Sequence, residues 1–221
     1  MRRLPNIIVT GVPGVGKTTL CEELVEVINK VIKQKNKKWK KEGMEGTKEI
    51  GDAEGMERRD CIDLVDGVAS EEEGKMVHVN LSHIIKEERL YEEYDDKLDA
   101  SIYNEELVND RLKKLDMEKK GGYIIDFHGV NFVRDKHLID HIFLLTISTN
   151  NLYERLEKRN YRKEKITNNI ECEIFQVIKE DILEHFEDET VFTELENNDL
   201  DQYEKNINTI KTWVLSNIRY W

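Results

Sequence analysis

The sequence predicts an α/β fold, a five-stranded parallel sheet with helices on both faces. Two observations carry that prediction. Short runs rich in β-branched and aromatic residues alternate with segments of helical period along most of the 221 residues, the pattern that parallel strands joined by crossover helices leave in a sequence. A glycine-rich stretch ending in Lys-Thr also stands between the first such strand and the first such helix, where a helix N-terminus offers unpaired N–H groups to an anion.

The strand-like runs occupy 6–10, 76–80, 123–127, 141–147 and 191–195. Between and after them, apolar periodicity predicts helices over 17–31, 81–88, 105–119, 150–158, 168–187 and 201–219. In the last, Tyr203, Ile207, Ile210, Val214 and Ile218 recur at three- and four-residue spacing, with Trp213 beside them. Asn150 is the expected N-cap of the helix that follows the fourth strand. No internal repeat interrupts this order.

One segment departs from it. Residues 32–75 hold half of the twelve glycines, and their charges run first basic, then acidic. Lys33 to Lys41 carries six lysines and no acid, whereas Glu42 to Lys75 carries twelve acids against four bases. Such a composition buries too little apolar surface to offset backbone ordering. A largely disordered, low-complexity insertion is therefore expected here, continuing the preceding helix for a turn or two. Its lysine run reads equally as a nuclear-localisation or RNA-contacting patch and as a solvated segment without a role. Without 32–75 the chain has the size of one compact domain, so 1–221 is read as a single domain with an insertion.

Composition excludes several classes. The net charge of −12 argues against nucleic-acid binding by the whole surface. No apolar run approaches the ~20 residues of a membrane span, so no membrane partner is expected. Met1-Arg2-Arg3 precedes only Ile7-Ile8-Val9 before Gly11 and Pro13, which makes no signal peptide. Cys21, Cys61 and Cys172 form no C-x-x-C pair, which predicts reduced thiols and no cysteine zinc site.

The motif between the first strand and helix is Gly11-Val12-Pro13-Gly14-Val15-Gly16-Lys17-Thr18-Thr19, a complete G-x-x-x-x-G-K-[ST]. It identifies a P-loop NTPase. Glycines let the backbone wrap a triphosphate closely, and the N–H groups of Gly14, Val15, Gly16, Lys17 and Thr18 point inward at a helix N-terminus. Lys17 is expected to bridge the β- and γ-phosphates of ATP, and the Thr18 hydroxyl to coordinate Mg2+. Asp126 ends the apolar strand of Gly122-Tyr123-Ile124-Ile125-Asp126-Phe127-His128-Gly129 and is expected to hold the same ion.

Five blocks resemble one family. They are Leu4-Pro5-Asn6-Ile7 leading into the phosphate loop; Lys86-Glu87-Glu88-Arg89-Leu90-Tyr91-Glu92-Glu93-Tyr94-Asp95; Ile125-Asp126-Phe127-His128-Gly129; Leu152-Tyr153-Glu154-Arg155-Leu156-Glu157-Lys158-Arg159; and Ile166-Thr167-Asn168-Asn169-Ile170-Glu171-Cys172-Glu173-Ile174-Phe175-Gln176-Val177. In these the chain resembles the adenylate kinase isoenzyme 6 family, also called Fap7 or coilin-interacting nuclear ATPase. The resemblance spans nearly all of the chain outside 32–75.

It implies an NMP-kinase fold with a short lid. ATP would lie on Gly14, Val15, Gly16, Lys17, Thr18 and Thr19, with a nucleoside-monophosphate region at 80–103 and a lid at 158–168. Arg155 and Arg159, four apart on one helix, would converge on the phosphates; the other reading of Arg155 is a surface partner of Glu154 or Glu157. Asn80, Ser82 and Lys86 would face the acceptor. His128 either orients the water in ATP hydrolysis or is hydrogen-bonded to a loop carbonyl; the other histidines read as structural. The chain departs from the family at Ser82 and His83, where Gly-Asp is usual, at Lys86 for arginine, and at Asn160 in place of glycine.

The implied function is phosphoryl transfer from Mg·ATP to AMP or another monophosphate, with ATPase activity. The catalytic residues would be Lys17, Asp126, His128 and Arg159. An ATP-hydrolysing assembly factor that binds a small-subunit ribosomal protein is the alternative, and a small-metabolite kinase on the same core is a third. The resemblance also implies a monomer of nucleus and cytoplasm.

Overall fold

The computed structural model describes residues 2–45, 74–95, 100–187 and 191–219. Its elements follow in the order β1 (Ile7–Thr10), α1 (Lys17–Glu45), β2 (Val77–Asn80), α2 (Leu81–Glu87), β3 (Tyr91–Asp95), β4 (Ala100–Tyr103), α3 (Glu105–Lys113) and β5 (Tyr123–Asp126). Then come β6 (His141–Thr146), α4 (Thr149–Lys158), α5 (Lys163–Ile174), α6 (Val177–Phe186), β7 (Phe192–Glu196) and α7 (Leu200–Ser216).

The five predicted strands form one parallel sheet in the order β2-β5-β1-β6-β7. β1 is central, and Ile7, Ile8 and Val9 are wholly buried, as expected for a strand covered on both faces. Helix α1 packs on α7 and across β1, β2 and β5, while Ile125 of β5 shares an apolar space with Leu112 of α3. A second cluster closes the far side, where Trp213 stacks on His141 and meets Phe143 edge-on. Parallel strands end on one edge of the sheet, so the loops after β1, β2 and β5 converge there. In that register Asn80 lies opposite Asp126, and Asp126 opposite Val9.

The structure corrects several local expectations. Ser148, not Asn150, caps α4, its hydroxyl accepting from the Asn151 N–H. The helix predicted over 168–187 starts earlier, at Lys163, and is broken at Gln176, whose φ of 52° puts it in the left-handed region. The helix predicted to 119 stops at Lys113. Tyr91–Asp95 and Ala100–Tyr103 pair as an antiparallel hairpin outside the main sheet. That hairpin left no clear trace in the sequence because acids fill the first strand and no continuous apolar face results. Helix α1 runs on to Glu45, well past a turn or two, and the remainder of the predicted insertion lies outside the described residues. No helix among the described residues is long and apolar enough to cross a membrane.

Candidate active site

The chain leaves β1 as a loop that closes against the ends of β6 and β7. A side chain at Gly11 (φ 138°) would put Cβ 2.4 Å from the Leu145 carbonyl oxygen, and one at Gly16 (φ 105°) would meet Asn197 Nδ2 at 2.9 Å. Both the backbone angle and the space therefore demand glycine. Lys17 curls over the loop, its Nζ donating to the Gly11 carbonyl at 2.7 Å and the Val12 carbonyl at 3.1 Å. Burial draws its pKa down to about 8, with Asp126 pulling the other way.

Thr18, in the first turn of α1, donates its hydroxyl to Asp126 Oδ2 at 2.6 Å. Asp126 is only 3% exposed, so this carboxylate is costly to hold without a partner. A hydroxyl and a carboxylate oxygen in contact beside a phosphate loop suit a hard cation such as Mg2+. The two residues predicted to hold the ion are thus brought together.

The loop is braced from behind. Arg155 Nη1 donates to the Val15 carbonyl at 3.2 Å, and Nη2 donates to the carbonyls of Asn197 at 3.0 Å and Asn198 at 2.9 Å. Asn197 Nδ2 donates to the same Val15 carbonyl at 2.7 Å. Arg155 therefore does not converge on the phosphate site with Arg159, nor does it pair with Glu154 or Glu157. Its guanidinium ties α4 and the loop after β7 to the phosphate loop. Arg159, by contrast, lines the cleft, and its charge acts on Lys17. Asn160, at the position where glycine is usual, takes φ 56°, a left-handed turn that asparagine tolerates better than most residues. The departure leaves the turn intact.

His128 lies in the cleft with its ring 4.1 Å from that of Phe127. Surrounding protein, then Lys17, lowers its pKa to about 4, although the ring is exposed toward the open cleft. It is neutral at physiological pH. The cleft encloses about 670 Å³, with Gly14, Lys17 and Thr18 on one wall and Asn80, Ser82 and Tyr103 on another. Thr19 also lines it, whereas the Val15 side chain is buried in the core. Asn80 Oδ1 caps α2 by accepting from His83 N. Lys86 is exposed at the end of α2 and does not line the cleft. The predicted acceptor set is therefore only partly assembled.

Sequence reasoning missed Asn197, buried beside the loop, and Tyr203, whose hydroxyl donates to Glu23 at 2.7 Å and to the Thr19 carbonyl at 3.3 Å. It also missed Glu173, which accepts from Ile147 N at 2.9 Å while burial raises its pKa. The one sequence signal was Glu196-Asn197-Asn198-Asp199, polar residues between a strand and a helix at the edge that carries the phosphate loop.

Comparison with known proteins agrees with this geometry. Residues 7–176 match the family model described as an AAA domain. The chain is 58% identical over 217 residues to an adenylate kinase isoenzyme 6 homolog of Plasmodium falciparum (isolate 3D7), covering 98% of this chain and 99% of that one. It is 30% identical to the Drosophila melanogaster homolog, covering 95% and 91% of the two chains. It is also 30% identical to the Saccharomyces cerevisiae homolog FAP7, covering 95% and 81%. Among solved structures, shikimate kinase from Bacteroides thetaiotaomicron shares the fold at a TM-score of 0.51 and 14% identity, covering 96% of this chain and 99% of that one. With its complete phosphate loop, the Thr18–Asp126 pair and these relatives, the chain belongs to the adenylate kinase isoenzyme 6 family of P-loop nucleotide kinases and ATPases.

Proposed function

We propose that this enzyme transfers the γ-phosphoryl group of Mg·ATP to a nucleoside monophosphate, AMP first among them, and hydrolyses ATP when no acceptor is bound. The observation that carries this reading is the single cleft, in which the phosphate loop faces the Asn80, Ser82 and Tyr103 wall. A donor on the loop and an acceptor on that wall would meet over Lys17 and Arg159. Those cations would stabilise charge on the transferring group, and Mg2+ on Thr18 and Asp126 would neutralise the β- and γ-oxygens. The segment 158–168 would shut out water. Because Lys86 supplies no planar fork and lies off the cleft, acceptor binding is expected to be weak.

The test is ADP production by purified protein with and without AMP. AMP should raise ADP formation well above the rate with ATP alone, and Lys17→Ala should abolish both rates. ADP formation indifferent to AMP and to every other monophosphate or small-metabolite acceptor would end the kinase reading.

His128 favours the second reading. A neutral imidazole beside Lys17 in the cleft can orient a water for hydrolysis, and the −12 charge would attract a basic ribosomal protein. In that reading His128→Gly slows ATPase more than AMP phosphorylation, and the protein binds a small-subunit ribosomal protein in an ATP-sensitive manner. Pull-downs with and without ATP would decide it. A monomer of nucleus and cytoplasm completes the proposal, checked by gel filtration and by imaging of the tagged full chain.

A further inference from the structure

Beneath the Thr18–Asp126 contact lie two side chains that phosphoryl transfer does not use. Cys21 follows Thr18 by three residues on α1, so both project from the same face of the helix. His78 sits on β2 opposite Ile124 of β5, two residues before the Asn80–Asp126 pair, so it projects to the same side of the sheet as Asp126. The result is a cluster of one sulfur, one nitrogen and one carboxylate oxygen, all within 4.8 Å of one another. His78 Nε2 is sealed from solvent without a hydrogen-bond partner and lies 3.6 Å from Asp126 Oδ2. A buried ring nitrogen left open in this way costs free energy unless something coordinates or protonates it.

We infer that Cys21, His78 and Asp126 form a second metal site, for a borderline divalent cation of the zinc type, which shares Asp126 Oδ2 with the Mg2+ site. The donor chemistry separates the two ions. Mg2+ takes oxygen and avoids sulfur, whereas Zn2+ takes thiolate, imidazole and carboxylate together. Ligand atoms on one tetrahedral zinc lie about 3.5 Å apart, which His78 Nε2 and Asp126 Oδ2 already match at 3.6 Å, and no pair in the cluster exceeds 4.8 Å. Burial, and then Asp126, keep the Cys21 thiol protonated at neutral pH. The entering cation forms the Cys21 Sγ–metal bond as the Sγ–H bond breaks, and the proton leaves to solvent. Since Asp126 Oδ2 is also the acceptor of the Thr18 hydroxyl, zinc there takes a ligand from Mg2+ and stops turnover. The absence of a C-x-x-C pair points away from a cysteine zinc site; strand pairing and helix packing bring a mixed donor set together.

The experiment titrates the full-length protein, without nucleotide, with Zn2+ and with Co2+ as a spectroscopic probe. The expected result is one Zn2+ per chain and a cobalt spectrum with a thiolate charge-transfer band. Losing a hydrogen-bond partner of a ligand alone costs roughly 10–100-fold in metal affinity, so losing a ligand by Cys21→Ser or His78→Gln should weaken Zn2+ binding by at least about 100-fold. Both variants should keep Mg2+-dependent ATP turnover and lose its inhibition by Zn2+, while Cys172→Ser should bind Zn2+ like the wild type. If Cys21→Ser does not fold, the wild-type cobalt spectrum and His78→Gln still decide. Zn2+ bound equally well by His78→Gln, a cobalt spectrum without a thiolate band, or inhibition unchanged in the variants would each overturn the proposal.

Discussion

Replacing Arg155 with alanine separates a brace from a phosphate ligand. The side chain donates three hydrogen bonds, at 2.9–3.2 Å, to the carbonyls of Val15, Asn197 and Asn198. Charged donors contribute about 1.5–3 kcal/mol each when isolated. These share one partly exposed guanidinium, and Val15 keeps its bond from Asn197, so the sum is set lower, at about 2–4 kcal/mol. For a chain of this size that lowers Tm by roughly 4–16 °C. The phosphate loop loses its back support, so KM for ATP should rise about tenfold, equivalent to about 1.4 kcal/mol, while kcat changes little. Arg155→Lys should recover less than half of the stability, because a point charge cannot span three carbonyls. Thermal melts and steady-state kinetics on the three proteins make the test. An unchanged Tm with a collapse of kcat would refute the brace and restore Arg155 to the phosphates.

Three other outcomes follow from the same geometry. Lys17, with its pKa near 8 in the free protein, is charged below that pH and neutral above it, so kcat/KM for ATP should fall about tenfold per unit above pH 8; a flat profile to about pH 9.5 would contradict the shift. Gly11→Ala forces Cβ against the Leu145 carbonyl oxygen at 2.4 Å, so it should lower Tm and abolish ATP-dependent stabilisation in the same melt. Phe143→Ala, in the cluster with His141 and Trp213 away from the cleft, should cost about 3–5 kcal/mol while leaving turnover at low temperature near wild type.

The P-loop could be read directly because its constraints are local: closely spaced glycines, a lysine and a hydroxyl must touch one ligand, so their spacing is carried in the chain. The five strands and their parallel sense followed from their alternation with helical segments, and burial on both faces leaves unbroken apolar runs in the inner strands β1, β5 and β6. Local signals misled where tertiary packing overrode them. Gln176 interrupts a periodic helix with a left-handed residue that no composition marked. Ser148, not Asn150, became the cap, both being residues that cap well.

By itself, then, the sequence determined the five strands, the phosphate loop and the acid at the end of β5. Each is written in residues next to one another or two and four apart. Only the tertiary structure decided which distant groups share that edge. It turned Arg155 behind the loop, left Lys86 outside the cleft, and set His78 of β2 and Cys21 of α1 against Asp126. The physical reason is that the register between parallel strands is fixed by packing across the whole core, and no local run of residues records it.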